Sequence, residues 1–140
     1  MPIDAREQQR RRALIKEHYA AENDHDLDRI MDTFADDCVM QYNQLPFQGD
    51  EGIRGAHILM GMSSSPGAFS GLRHIIDEEH YTDEETVVEG RLVGKHSNEL
   101  LGFAATGREV ELPFVAFYRF DDNGKLTSER VVMNLGPLKS

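Results

Sequence analysis

The stretch Gly107–Asn134, GREVELPFVAFYRFDDNGKLTSERVVMN, constrains the fold more than any other part of the chain. Two apolar-rich runs flank Asp121-Asp122-Asn123-Gly124, and an Asn-Gly pair between such runs is a strong short-range hairpin signal. With Phe120 facing Leu126, the antiparallel ladder pairs Tyr118 with Ser128, Ala116 with Arg130, Phe114 with Val132 and Leu112 with Asn134. Directly opposed residues share a face, so these pairs line one side of the sheet. The other side carries Pro113, Val115, Phe117 and Arg119 against Thr127, Glu129, Val131 and Met133. Both faces are too apolar for a sheet with one wet side. The expectation is a core or pocket under the first face and a partner chain on the second. Arg130 and Asn134 are polar groups set among Leu112, Phe114 and Val132, which puts the expected functional site on that first face.

Length and charge narrow the classes. A chain of 140 residues reads as a single domain, 1–140, and a domain of this size buries roughly 68–70% of its unfolded surface. The net charge of −10 argues against nucleic acid and anionic membranes, which call for a basic face. Arg10-Arg11-Arg12 reads as a solvated helix face. The one cysteine, Cys38, rules out an intramolecular disulfide and points to a reducing compartment; its apolar setting, CVM, suggests a buried, inert thiol. No apolar run approaches the ~20 residues of a membrane span, and MPIDAREQQR has no signal-peptide core. A cytoplasmic location is expected.

From about Asp4 to Asn23 the residues are good helix formers, with Leu14, His18 and Ala21 on one stripe. Asp26 caps a second helix with Leu27, Ile30, Met31 and Phe34 at the helical period, ended by Asp36-Asp37. CVMQYN reads as a first strand, QLPFQG as a loop or bent edge, and Asp50–Met60 as a short helix. MSSSPGAFSG is a loop. Strands follow over Leu72–Tyr81 and Thr86–His96, then the hairpin. Helices followed by antiparallel strands predict an α+β fold, a curved antiparallel sheet packed on N-terminal helices around a cone-shaped pocket.

Three segments carry a family resemblance: DHDLDRIMDTFADDCV, GKHSNELLGFAATGREV and FYRFDDNGKLTSERV. In order and spacing they resemble the SnoaL-like (polyketide cyclase) branch of the nuclear-transport-factor-2-like superfamily, whose fold is a cystatin-like α+β barrel. The resemblance implies a hydrophobic small-molecule ligand or substrate and homodimers formed through the convex sheet face. In SnoaL-like cyclases a last-strand aspartate is the acid/base; the matching residue here is Asn134, and a carboxamide does not exchange protons near neutral pH. The positions that serve ketosteroid isomerases correspond to His18, Tyr42 and Ala116, all different from that family's residues. QYNQLPF also resembles a segment of limonene-epoxide hydrolases, with Tyr42 and Pro46 kept and Gln44 in place of an asparagine. Arg91 matches the arginine of that family's catalytic set, and Val93 stands where one aspartate would be.

The expected catalytic or polar groups are therefore Asn134, Tyr42, Arg91 and His18. Gln44, Leu112, Phe114, Tyr118, Arg130 and Val132 are the expected ligand-binding residues. His18 is the pocket-wall group that would titrate near neutral pH. His96, in GKHSNE, reads as packing between loop and strand. His25, His57, His74 and His80 show no convergent spacing, and no His-x-x-x-His or Cys-x-x-Cys pattern exists, so neither metal nor cofactor is expected. The function that fits is a cofactor-free cyclase, isomerase or dehydratase-type enzyme acting on a polyketide, steroid-like or terpenoid substrate. A non-catalytic ligand-binding or assembly module of the same fold is the alternative class.

Overall fold

Asp4 opens the first helix by accepting a hydrogen bond from Glu7 N at 2.8 Å, and α1 runs Ala5–Asn23 in the computed structural model, which describes residues 3–139. Its inward side carries Arg11, Ile15, His18, Tyr19 and Glu22, so polar groups lie on the face that apolar periodicity would reserve for core. Asp26 caps α2, Leu27–Met31, through Arg29 N. This helix stops earlier than expected. The Thr33 hydroxyl donates to Ile30 O at 2.6 Å, and Thr33 O accepts from Leu126 N. Phe34 therefore begins a strand, β1, Phe34–Tyr42, and Asp36 and Asp37 are exposed within it.

β2, Leu45–Gln48, is a short edge strand, where the missing N–H of Pro46 is tolerated. α3 follows, Gly49–Met60, ended by Gly61 in the left-handed conformation. A loop leads to β3, Phe69–Tyr81; then come β4, Thr86–His96, β5, Glu109–Phe120, and β6, Leu126–Met133. The strand order is β2-β1-β6-β5-β4-β3, antiparallel throughout except where β1 runs parallel to β6. The sheet is thus mixed rather than wholly antiparallel. The core lies between its inner face and the helices, with Ile15, Ile30, Ile53, Met60, Leu72, Val88 and Leu112 all nearly sealed from solvent.

The hairpin forms where the sequence places it. Asp121 Oδ1 accepts from Asn123 N and Lys125 N, and Gly124 takes a positive φ. Phe120 pairs with Leu126 as expected, but a bulge follows: Arg119 faces Ser128, Tyr118 faces Glu129, Ala116 faces Val131 and Phe114 faces Met133. The extra residue in β6 turns Glu129, Val131 and Met133 inward and leaves Arg130, Val132 and Asn134 outside. The regular register would have put an arginine under the sheet, whereas the bulge buries Leu126, Val131 and Met133 together. The convex apolar cluster expected from Val115, Phe117, Val131 and Met133 is correspondingly reduced, because two of its members face the core.

Candidate active site

A small cavity lies between α1, the end of α3 and the inner sheet face. Its apolar wall comes from Leu92, Phe114 and Val131 and from three methionines, Met60, Met62 and Met133. Its polar wall comes from Tyr19, Glu22, Tyr42, His74, Tyr118 and Glu129. The free space is about 10 Å³, room for about one water.

A buried charged cluster sits against this cavity. Helical spacing puts His18 and Glu22 one turn apart on α1, with His18 Nε2 3.2 Å from Glu22 Oε2. The β6 bulge brings Glu129 Oε1 within 3.3 Å of the same nitrogen. From α3, His57 Nε2 approaches Glu22 Oε2 at 3.1 Å, and from β3, His74 Nε2 approaches Glu22 Oε1 at 3.3 Å. All of these side chains are at least nine-tenths buried. Tyr19 and Tyr118 join their hydroxyls at 2.5 Å beside them. Four polar atoms of the lining residues have no hydrogen-bond partner in the structure: His74 Nδ1, Glu22 Oε1, Tyr42 Oη and Glu129 Oε1.

Burial is the largest influence at His18, Glu22, His74 and the three tyrosines, and what opposes it differs. At His18 burial disfavours the charge, but Glu22 and Glu129 outweigh it and raise the imidazole to about 10. The expected titration near neutrality is therefore not found at His18. At Glu22 burial favours the acid form, yet the opposing charge at His18, close beside it, and the hydrogen bond from His57 hold the carboxyl well below the usual carboxylate range. His74 goes the other way: burial lowers it to about 4 despite Glu22, so it is neutral near pH 7. A neutral His74 adds no charge to its neighbour, which leaves His18 as the counter-charge of Glu22. Burial keeps Tyr19, Tyr42 and Tyr118 protonated to well above the usual phenol range. The arrangement joins a neutral imidazole with a free ring nitrogen, a fixed carboxylate behind it, and phenol donors in a mostly apolar chamber. That is the equipment of proton transfer next to a polar oxygen.

Of the residues expected from the sequence, Tyr42, Phe114 and Tyr118 line this cavity. His18 lies just behind it, and Leu112 is core beneath β5. The others are elsewhere. Asn134 is exposed and its Oδ1 accepts from Gly136 N, terminating β6. Arg130 is half-exposed on the outer face with its guanidinium over the Phe117 ring at 4.4 Å, and Val132 beside it is 54% exposed. Arg91 is ion-paired with Asp77 and Glu111 on that same face. Gln44 is exposed at the turn before β2. The slipped register explains Asn134, Arg130 and Val132: each was assigned a face by strict alternation from Phe120, and the bulge inverts it.

Glu22, His57, His74, Glu129 and Tyr19 are not among the residues expected from the sequence; of the four histidines without convergent spacing, His57 and His74 meet at Glu22 together with His18, while His25 and His80 lie apart from it. One signal was available: His18 and Glu22 at i and i+4 on a helix face that also carries Ile15. The expected packing role of His96 agrees with its burial against Phe69 and Thr106. Arg11 departs from the solvated face assigned to the basic run; it is buried and donates to the carbonyls of Thr82, Asp83 and Glu85.

Comparison with known proteins gives a consistent likeness. The sequence model of the SnoaL-like domain matches residues 15–129. Among solved structures, AclR of Streptomyces galilaeus, described as a candidate hydroxylase, superposes with a TM-score of 0.74 at 24% identity over 91% of each chain. IdmH of Streptomyces antibioticus, described as a candidate polyketide cyclase, gives 0.73 at 20% identity over 91% of this chain and 94% of its own. SalBIII, an epoxide hydrolase/cyclase-like enzyme of pyran ring formation in salinomycin, gives 0.75 at 14% identity over 93% and 95%. At these identities the likeness is one of fold. No curated protein matches the sequence. No described helix is long and apolar enough to cross a membrane.

Proposed function

The chain belongs to the SnoaL-like domain family, and we propose that it is an acid–base enzyme acting on a small, largely apolar carbonyl compound of the polyketide type. The observation that carries this reading is the pair of buried polar atoms without a partner, His74 Nδ1 and Tyr42 Oη, in one mostly apolar cavity. Each buried polar atom left without a partner costs roughly 1–3 kcal/mol, a cost that a purely structural core removes by substitution. A substrate oxygen and an acidic C–H would supply the missing partners.

In this reading His74 Nδ1 takes a proton from carbon beside the carbonyl. Glu22, 3.3 Å from Nε2, stabilises the imidazolium that forms. Tyr42 or the Tyr19–Tyr118 pair donates to the oxygen as it gains charge. Proton return at a different carbon gives isomerisation, attack of the enolate on a second carbonyl gives ring closure, and loss of a neighbouring hydroxyl gives dehydration. Met60, Met62 and Met133 make the chamber adaptable, since unbranched thioether side chains re-pack at small cost. The resting volume is too small for a bicyclic substrate, so these side chains rotate when one enters.

A small probe tests this without knowledge of the natural substrate. Deuterium exchange at the acidic carbon of 2-tetralone in D2O, followed by NMR, should run faster with the protein than with an equal concentration of imidazole. His74→Gln should remove about 10²–10⁴-fold of that acceleration. Saturable binding of 2-tetralone with no acceleration would contradict catalysis and leave the ligand-binding module as the function. We also propose a homodimer through the outer sheet face, supported by exposed Val132 opposite half-buried Val115, with half-buried Phe117 on the same face.

A further inference from the structure

We propose that Glu22, His18 and His57 form a buried site for one divalent first-row transition-metal ion such as Zn²⁺, with the Glu129 carboxylate as a neighbouring negative charge. The argument rests on which ring nitrogens are already committed. Thr33 Oγ1 lies 2.6 Å from Ile30 O, an atom that can only accept, so the hydroxyl proton is used there. Thr33 Oγ1 must then accept from His18 Nδ1–H, 2.9 Å away. His57 Nδ1 lies 2.8 Å from Ile53 O and is likewise the donor. Both imidazoles are thus anchored through Nδ1–H and turn Nε2 toward the same oxygen, Glu22 Oε2. Metal-ligating histidines are held in this way, by an outward ring N–H on a carbonyl or hydroxyl, and a metal ion would displace the inward Nε2 proton on binding.

The spacing fits as well. The donor atoms of His18, Glu22 and His57 all lie within 4.8 Å of one another, and the contacts at Glu22 Oε2 and Glu129 Oε1 are 3.1–3.3 Å. Ligands at 2.0–2.2 Å around a tetrahedral ion stand roughly 3.4 Å apart. An ion pair alone accounts less well for His18: Nε2 sits between two carboxylates yet meets hydrogen-bond geometry with neither, and Glu129 Oε1 is also without a hydrogen-bond partner. A bound ion would take the place of the Nε2 protons that now face Glu22, one from each ring. Two imidazoles and one carboxylate, with a second carboxylate close by, suit a borderline dication. Glu22 would bind it through Oε2 and keep Oε1 toward His74.

This inference needs no part of the proton-transfer reading, because its readout is uptake of metal. Tag-free protein, unfolded and refolded with Zn²⁺ so that entry is not limiting, then dialysed, should retain one Zn²⁺ per chain. Co²⁺ in its place should give the visible absorption of a low-coordinate site. Thr33→Val leaves the ligands intact but removes the orienting acceptor, and should weaken binding about 10–100-fold; His57→Gln should abolish it. An exposed group, Glu78, His80 and Glu89, could also gather a cation, so His80→Gln is the control and should retain full uptake. Folding of each variant is checked by circular dichroism. Retention well below one equivalent by folded wild-type protein would overturn the proposal. So would loss of uptake in His80→Gln, or ring Nε2–H signals of His18 and His57 persisting in excess Zn²⁺. Failure of 2-tetralone exchange leaves this test unaffected.

Discussion

Arg11 shows most clearly what one residue does in this fold. Its guanidinium leaves the helix surface, is nearly sealed, and donates to three carbonyls of the turn between β3 and β4 while pairing with Glu7. Hydrogen bonds from a charged donor contribute about 1.5–3 kcal/mol, so Arg11→Met should lower unfolding free energy by about 2–3 kcal/mol in urea titration. Arg11→Lys should recover only part of it, because an ammonium cannot reproduce the planar fork. A change below about 0.5 kcal/mol, the size of an ordinary surface substitution, would contradict the clamp. Cys38 gives a second residue-scale prediction. Burial, with Glu129 and Asp37 behind it, pushes the thiol up to about 12. Native protein should resist iodoacetamide at pH 8 and react only in denaturant. The folded value lies above the unfolded one, so this group leaves stability untouched below about pH 9 and erodes it as pH rises toward 12.

At the scale of elements, the decisive event is the bulge in β6. The turn at Asp121–Gly124 was legible because Asn-Gly dictates it, and so were the limits of β4. The face of β6 was not. Val131, Val132 and Met133 are consecutive apolar residues, so alternation alone fits either register, and tertiary burial decides. The end of α2 was obscured in a similar way: Phe34 continues the helical period, and only its pairing with β6 makes it a strand. Gly90 marks the tightest approach in the sheet. A Cβ there would stand 2.4 Å from Ile75 O and 2.9 Å from the Phe114 ring. Gly90→Ala should therefore destabilise by about 1–3 kcal/mol and push Phe114 into the cavity. A melting temperature within a degree of wild type would show that the strands separate more freely than this packing implies.

For the whole molecule, the sequence carried the architecture further than the site. Helix-then-strand order and three family segments sufficed for the α+β arrangement and for an inner chamber. The chemistry was hidden because its members come from α1, α3, β3 and β6, and two of them, Glu22 and Glu129, are charged residues that composition assigns to the surface. Association is tested separately. Phe117→Glu on the outer face should reduce self-association in sedimentation without altering 2-tetralone binding; unchanged mass would remove this face from consideration.

The central claim is that the inner Glu22–His74 cluster, and not the outer end of β6, is the functional site. Parallel rates of 2-tetralone exchange for wild type, Glu22→Gln and Asn134→Ala test it most directly. The account predicts a loss of at least about 10²-fold for Glu22→Gln and a wild-type rate for Asn134→Ala. A wild-type rate in Glu22→Gln, with the loss appearing in Asn134→Ala instead, would contradict it.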